Sequence, residues 1–226
     1  MNIEAAEPKS LPAHEVVYQT LRARVLFGEL APGEAVTIQG LVQSLGAGMT
    51  PVREAIRRLI SDGALVFQGN RRVSVPELTR EGLEELVFIR KAIETQLAYR
   101  AAERVSASEI THLAAIDSKL DDAILAGDVH GYLAHNYAFH AQLYAVAQAP
   151  IMTELADRVW LRFGPSLRVV CGRMGTQNLP DRHKDLLTAL ELGDPAATAR
   201  AMEQDVMQGM EQISQMLSGP DSIDLE

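Results

Sequence analysis

At 226 residues the chain can hold one large domain or two small ones, and 47% hydrophobic with 23% charged residues is the balance of a globular protein. The net charge of −9 divides into +1 over residues 1–80 and −10 over 81–226, which argues against non-specific coating of DNA but leaves room for a local basic surface near the start. No apolar run approaches the ~18 residues of a membrane helix, the polar start "MNIEAAEPKS" lacks a leader's apolar core, and one cysteine, Cys171, excludes an intrachain disulfide framework, so a cytoplasmic protein is expected.

In chain order, residues 1–12 carry two prolines and little periodicity and are expected to form a mobile arm. A helix fits 13–28, with Val16, Val17, Leu21, Val25 and Leu26 apolar and Gly28 at its end. "LAPGEAV" reads as a turn from its Pro-Gly pair. A short helix follows Thr37, carrying Ile38, Leu41, Val42 and Leu45, until "GAG" at 46–48 breaks it.

The next stretch, "TPVREAIRRLI", places Val52, Ala55, Ile56, Leu59 and Ile60 on one helical stripe. Thr50, Arg53, Glu54 and Arg57 fall on the opposite face, with Arg58 beside them. Pro51 suits the first turn and Gly63 the stop, so the spacing predicts a helix over 50–62. "ALVFQGNRRVSVPEL" then reads as two β runs around Gln68-Gly69-Asn70. Three helices, a tight turn before the third and a hairpin make a winged helix-turn-helix over 13–76.

After Pro76 the pattern is helical throughout, with spans at about 80–104, 107–126, 129–147, 150–171, 177–192 and 195–217. The expected architecture is therefore mainly α: a winged helix-turn-helix with a small β-hairpin wing, then an all-α antiparallel bundle over 77–217. Residues 218–226 are expected to be a disordered tail.

A helix in the major groove sets its N-terminal polar side chains against base edges, arginine to guanine being the commonest specific pairing. Arg53 is placed for that role, Thr50 for a phosphate beside free backbone N–H groups, and Arg57 and Arg58 for phosphates. Gly69, Asn70, Arg71 and Arg72 fit a wing lying along the backbone or minor groove.

Several polar residues interrupt apolar stripes of the second part. His140 shares a face with Leu133, Tyr137, Leu143 and Tyr144, with Asn136 one turn before it. His183 lies with Leu179, Leu186, Leu187 and Leu190, and Asp205 borders Met202 and Gly209. His183 and Asp205 stand eleven residues on either side of Asp194, in the turn "LGDP", so antiparallel helices bring them level. Imidazoles with a carboxylate suit Zn²⁺, Ni²⁺ or Mn²⁺, and a hydrogen-bonded core cluster is the alternative. Arg90 sits in the stripe Leu83, Leu86, Val87, Ile93, Leu97 and needs a carboxylate, either Glu94 or that of a ligand. Tyr99, Trp160 and Cys171 are expected in the core.

The stretch "LAPGEAVTIQGLVQSLGAGMTPVREAIRRLISDGALVFQGNRRVSV" resembles the DNA-binding domain of GntR-family bacterial regulators, "TPVREAIRRL…DGAL" being its most specific part. "FIRKAIETQLAYRAAER", "NYAFHAQLY" and "RHKDLLTALELGDPAATARAM" resemble the FCD-type effector domain of the FadR/VanR-like branch. The resemblance covers roughly 13–217. It implies a metal held by one Asp and three His. Asn136 would take the Asp position and Asp205 the last His position, beside His140 and His183. It also implies a small organic acid at the open coordination position, with Arg90 a candidate for its other end. Two departures stand out: Gly48-Met49 replaces the usual Ser-Arg before Thr-Pro, and Gly40 replaces an acidic residue. The expected function is a ligand-responsive transcription regulator of the repressing kind, acting as a homodimer on a palindromic operator in double-stranded DNA. The competing readings are the same regulator with a metal-free polar pocket, and a metal-dependent enzyme in which His140, His183 and Asp205 activate water. No general base, nucleophile elbow or phosphate loop is found by motif to support the enzyme.

Overall fold

The computed structural model describes residues 12–176 and 182–217, so the expected arm (save Pro12), the expected tail and the segment 177–181 lie outside the described residues. The first part comprises α1 (Ala13–Leu26), β1 (Ala35–Thr37), α2 (Ile38–Leu45), α3 (Met49–Ser61), β2 (Val66–Phe67) and β3 (Arg72–Ser74). Helix α2 starts where the sequence predicts: the Thr37 hydroxyl accepts from the Gly40 N–H, and Gly46 ends the helix in the left-handed region at φ 59°. The apolar stripe of α3 is buried as expected, with Val52, Ala55, Ile56 and Leu59 against α1 residues including Leu21 and Val25.

The turn "LAPGEAV" needs correction. Its last residues form β1, which pairs antiparallel with β3 (Ala35 opposite Ser74, Val36 opposite Val73), while β2 pairs with the other edge of β3. The wing is thus a three-stranded sheet of order β1-β3-β2 rather than a lone hairpin. Three residues are too few to show an alternation, and the partner lies well downstream.

The second part comprises α4 (Arg80–Ala102), α5 (Ala107–Ala126), α6 (Val129–Val146), α7 (Pro150–Met174), α8 (His183–Glu191) and α9 (Pro195–Leu217). Polar caps set the starts: Thr79 on α4, a Ser106/Glu109 capping box on α5, and Asp128 on α6. Helix α4 packs on α9, α6 and α7; α5 packs on α6 and α8; and α8 and α9 form a hairpin. Helix α8 is described from His183, with Arg182 as its N-cap, and the earlier part of its expected span, 177–181, lies outside the described residues. Trp160 and Cys171 are buried as expected, but Tyr99 is 38% exposed, a correction to its expected place in the core.

The two parts meet along α1 and α7. Their approach is close at Gly164, where a Cβ would lie 2.7 Å from the Leu26 carbonyl oxygen. No helix among the described residues is long and apolar enough to cross a membrane.

Candidate DNA interface and metal centre

Helix α3 turns its apolar side to the core and leaves Thr50, Arg53, Glu54 and Arg57 exposed. The helix starts one residue earlier than predicted, at Met49, so Thr50 lies inside its first turn, among backbone N–H groups without helical partners. Arg53 and Arg57 make no ion pair with a described residue. Arg58 is placed differently: its Nη1 donates to Glu15 Oε2 at 2.9 Å and its guanidinium lies 3.6 Å over the Tyr18 ring. It is therefore already engaged by α1.

The wing tip is a run of three left-handed residues, Gly69 (φ 75°), Asn70 (φ 45°) and Arg71 (φ 58°). Glycine and asparagine tolerate that region, whereas Arg71 is held in it by the Ile38 N–H, which donates to its carbonyl at 3.0 Å. The result projects Asn70, Arg71 and Arg72 as exposed side chains beside α2.

The second cluster sits inside the helical part. His140 from α6, His183 at the start of α8 and Asp205 from α9 come together, one ligand atom of each lying within 4.8 Å of the others. His140 Nε2 is 3.2 Å from Asp205 Oδ2 and 3.4 Å from His183 Nε2. Both histidines are almost fully buried, at 1% and 2% exposed. Burial by itself would raise the Asp205 pKa, but its contact with His140 and the neighbouring His183 and Arg90 hold it down at about 2.

These separations test whether the donors fit an ion. Ligand atoms ~2.1 Å from a tetrahedral metal stand about 3.4 Å apart, which is close to the spacing of His140 Nε2 from each of the other two ligand atoms here. Two imidazole nitrogens and a carboxylate also form the donor set of borderline divalent ions. The residues present therefore fit a divalent transition metal. Asn136 lines the same cavity one turn before His140.

The cavity is small, about 40 Å³, with Arg90, Trp160, Phe163, Gln208 and Gln212 among its walls. Arg90 is held by the nearer of its two expected partners: Nε donates to Glu94 Oε1 at 2.6 Å and Nη2 to Oε2 at 2.9 Å. Its guanidinium also lies 4.0 Å over the Phe163 ring. The Trp160 indole N–H is buried without a hydrogen-bond partner among the described residues.

Two partners of the histidines, Asp117 and Tyr144, are not legible as such in the sequence. Asp117 on α5 faces His183, with Oδ1 3.1 Å from Nδ1, and Lys184 donates to its other oxygen at 3.1 Å. Tyr144 sits 3.1 Å from His140 Nδ1 and donates its proton to Glu94 Oε2 at 2.6 Å. Asp117 had a readable signal: it stands in the buried stripe Leu113, Asp117, Leu120, the same anomaly that singles out His140.

Comparison with known proteins agrees with both halves. A family model described as "Bacterial regulatory proteins, gntR family" matches residues 13–75, and one described as "FCD domain" matches 85–207. The chain is 27% identical to the HTH-type transcriptional regulator McbR of Escherichia coli (strain K12) over 86% of its own length and 89% of that protein. It is 23% identical to the HTH-type transcriptional repressor RspR of the same organism, over 96% of this chain and 95% of that one. Among solved structures, E. coli McbR/YncC superposes with a TM-score of 0.86 at 26% identity, covering 92% of this chain and 99% of that one. A GntR-type putative regulator from Rhodococcus sp. RHA1 shares the fold with a TM-score of 0.72 at 22% identity, over 89% and 97%.

Proposed function

The chain belongs to the gntR family of bacterial regulatory proteins and is a DNA-binding transcriptional regulator with an FCD domain, and from that premise we propose that it is a metal-dependent, organic-acid-responsive repressor. Residues 13–76 read a palindromic operator in double-stranded DNA as half of a homodimer, and residues 77–217 bind the effector. Arg53 reads a base, Thr50 and Arg57 bind phosphates, and Gly69, Asn70, Arg71 and Arg72 form the wing contact; Arg58 supports the reading helix through Glu15 and Tyr18. Such a protein works where the chromosome is, in the cytoplasm. RspR, a relative along nearly the whole chain, is named a repressor.

The observation that carries the metal reading is the buried convergence of His140, His183 and Asp205, with His140 Nε2 at ligand spacing from both His183 Nε2 and Asp205 Oδ2. These three residues hold Zn²⁺, Ni²⁺ or Mn²⁺, with the Asn136 amide as a weak fourth donor. The ion supplies a coordination position for one oxygen of an anionic ligand. Arg90, anchored by Glu94 through two nitrogens, supplies positive charge on the cavity wall for the ligand's other end.

About 40 Å³ holds only a few waters, so an organic acid enters by displacing side chains. That displacement gives the acid unequal affinity for the empty and filled arrangements, without which it could not change DNA binding. Elemental analysis of gently purified protein, with an operator-binding assay on adding metal and then small carboxylic acids, tests the proposal. Stoichiometric ion and an acid-dependent loss of operator affinity are expected; no ion retained or taken up sinks the metal reading.

A further inference from the structure

Each histidine of the centre has its Nδ1 side occupied by a group that leaves it no choice of role. Glu94 is tied to Arg90 by two hydrogen bonds and is fully buried, so it is an acceptor for anything else that reaches it. Tyr144 owns one hydroxyl proton and gives it to Glu94 at 2.6 Å. The Tyr144 oxygen can then face His140 Nδ1, 3.1 Å away, only as an acceptor. His140 Nδ1 must carry the hydrogen.

Asp117 is buried beside the Lys184 ammonium, which pairs with it as a carboxylate. Its Oδ2 accepts from Lys184 and its Oδ1 faces His183 Nδ1 at 3.1 Å. A carboxylate has nothing to donate, so His183 Nδ1 carries the hydrogen too.

We propose that Asp117 and the Arg90–Glu94–Tyr144 relay are positioning residues that lock His183 and His140 as Nδ1-protonated tautomers, turning both Nε2 lone pairs toward Asp205. Two lone pairs and a carboxylate oxygen aimed at one buried point repel each other unless a cation stands among them. The relays thereby select a divalent ion over a neutral hydrogen-bonded cluster. They also give Arg90 a second task, because its hold on Glu94 fixes the direction of the Tyr144 proton. The stacking of His183 on Phe139, with ring centroids 3.9 Å apart, fixes the imidazole plane in which Nε2 points.

The proposal rests on the metal reading, and two measurements separate their failures. Long-range ¹H–¹⁵N spectra of the metal-free full chain, labelled on histidine and held at pH ~8 where an unperturbed imidazole is neutral, read each tautomer directly. Nδ1–H on both residues is expected; an Nε2–H on either overturns the lock for that residue. Zn²⁺ affinity is then measured by chelator competition for the unaltered chain, Asp117→Asn and Tyr144→Phe. Both variants should lose affinity by roughly 10- to 100-fold, and Asp117→Glu should recover part of the loss. Variants that stay folded and bind Zn²⁺ as tightly as the parent overturn the positioning role. A parent chain that shows the Nδ1–H tautomers but takes up no Zn²⁺ overturns the metal reading and the selection built on it.

Discussion

Arg53 and Arg58 illustrate how position on one helix face decides what a charge can do. Arg53 is exposed and without an ion-pair partner among the described residues, whereas Arg58 is folded back on Glu15 and Tyr18. Arg53→Ala is expected to cost about 1–3 kcal/mol of operator binding and to relax preference at one base position per half-site. Arg57→Ala should weaken all sequences evenly and flatten the salt dependence, and Arg58→Ala should do so less. Gel-shift titrations on operator and random DNA over a salt series check the set; an equal loss on both DNAs for Arg53→Ala would remove it as a base reader. At the metal centre, Asn136→Asp adds a carboxylate to the cavity wall. It should raise Zn²⁺ affinity, while His183→Ala should abolish most binding and lower the melting temperature in the presence of metal. Calorimetric titration decides this, and an unchanged or weaker Asn136→Asp would place residue 136 outside the coordination sphere.

Helix α7 is the element that touches both the pocket and the DNA-reading unit. Trp160 meets the His140 ring at a tilt and the Tyr137 ring edge to face, at centroid separations of 5.1 and 5.4 Å. Tyr137 donates to Asp157 at 2.6 Å, and Arg22 of α1 bonds both, at 2.9 Å to the hydroxyl and 3.2 Å to Asp157. Burial, reinforced by Asp157, pushes the Tyr137 hydroxyl up to about 12, so it stays a donor throughout the physiological range. The C-terminal end of α3 is held from the same helix: Arg158 lies 3.6 Å from Asp62, and the Arg162 guanidinium lies against Gly63. Cations at the negative end of a helix dipole are well placed there. A ligand that displaces Trp160 therefore pushes on a helix bonded to both α1 and α3. Arg22→Ala is expected to leave metal affinity within about twofold while reducing the effector-induced change in operator affinity, a coupling typically worth 1–3 kcal/mol. Full retention of the response in that variant would show that the signal takes another route. Gly164→Leu would drive a side chain into the Leu26 carbonyl and is expected to destabilise the fold by about 1–3 kcal/mol or more, read by urea denaturation.

Across the whole molecule, Cys171 offers a probe of how firmly the structure is closed. It is 1% exposed in α7, and burial pushes its thiol up to about 12, with Arg168 pulling slightly the other way. The folded thiol keeps its proton where the unfolded one would lose it. Its contribution to stability is thus complete below the ordinary value of 9.0 and is lost as pH rises toward about 12. At pH ~8 iodoacetamide should label the native chain only as fast as it opens, and the urea-unfolded chain rapidly. Bound metal and effector should slow native labelling further, and labelling at the unfolded rate in native buffer would mean α7 is not packed as described.

The starts and stops of most elements follow from local chemistry and were readable in the chain. Thr37, Ser106 and Asp128 cap helices because their side chains reach N–H groups three residues on, and the α3 stripe needs only its own periodicity. The eleven-residue symmetry about Asp194 was legible for the same reason, since a short turn between antiparallel helices leaves equidistant residues level. What depends on distant pieces was not. Strand β1 exists only because β3 offers it hydrogen bonds from far along the chain. Asp117 meets His183 across 66 positions because α5 packs on α8, and Arg58 folds back on α1 because Tyr18 and Glu15 lie within its reach. Sequence by itself determined the helices, the winged unit and which polar residues were out of place. Packing alone decided which of those residues face each other, because a side chain's partner is chosen by distance in space, and distance across helices is not written in local periodicity.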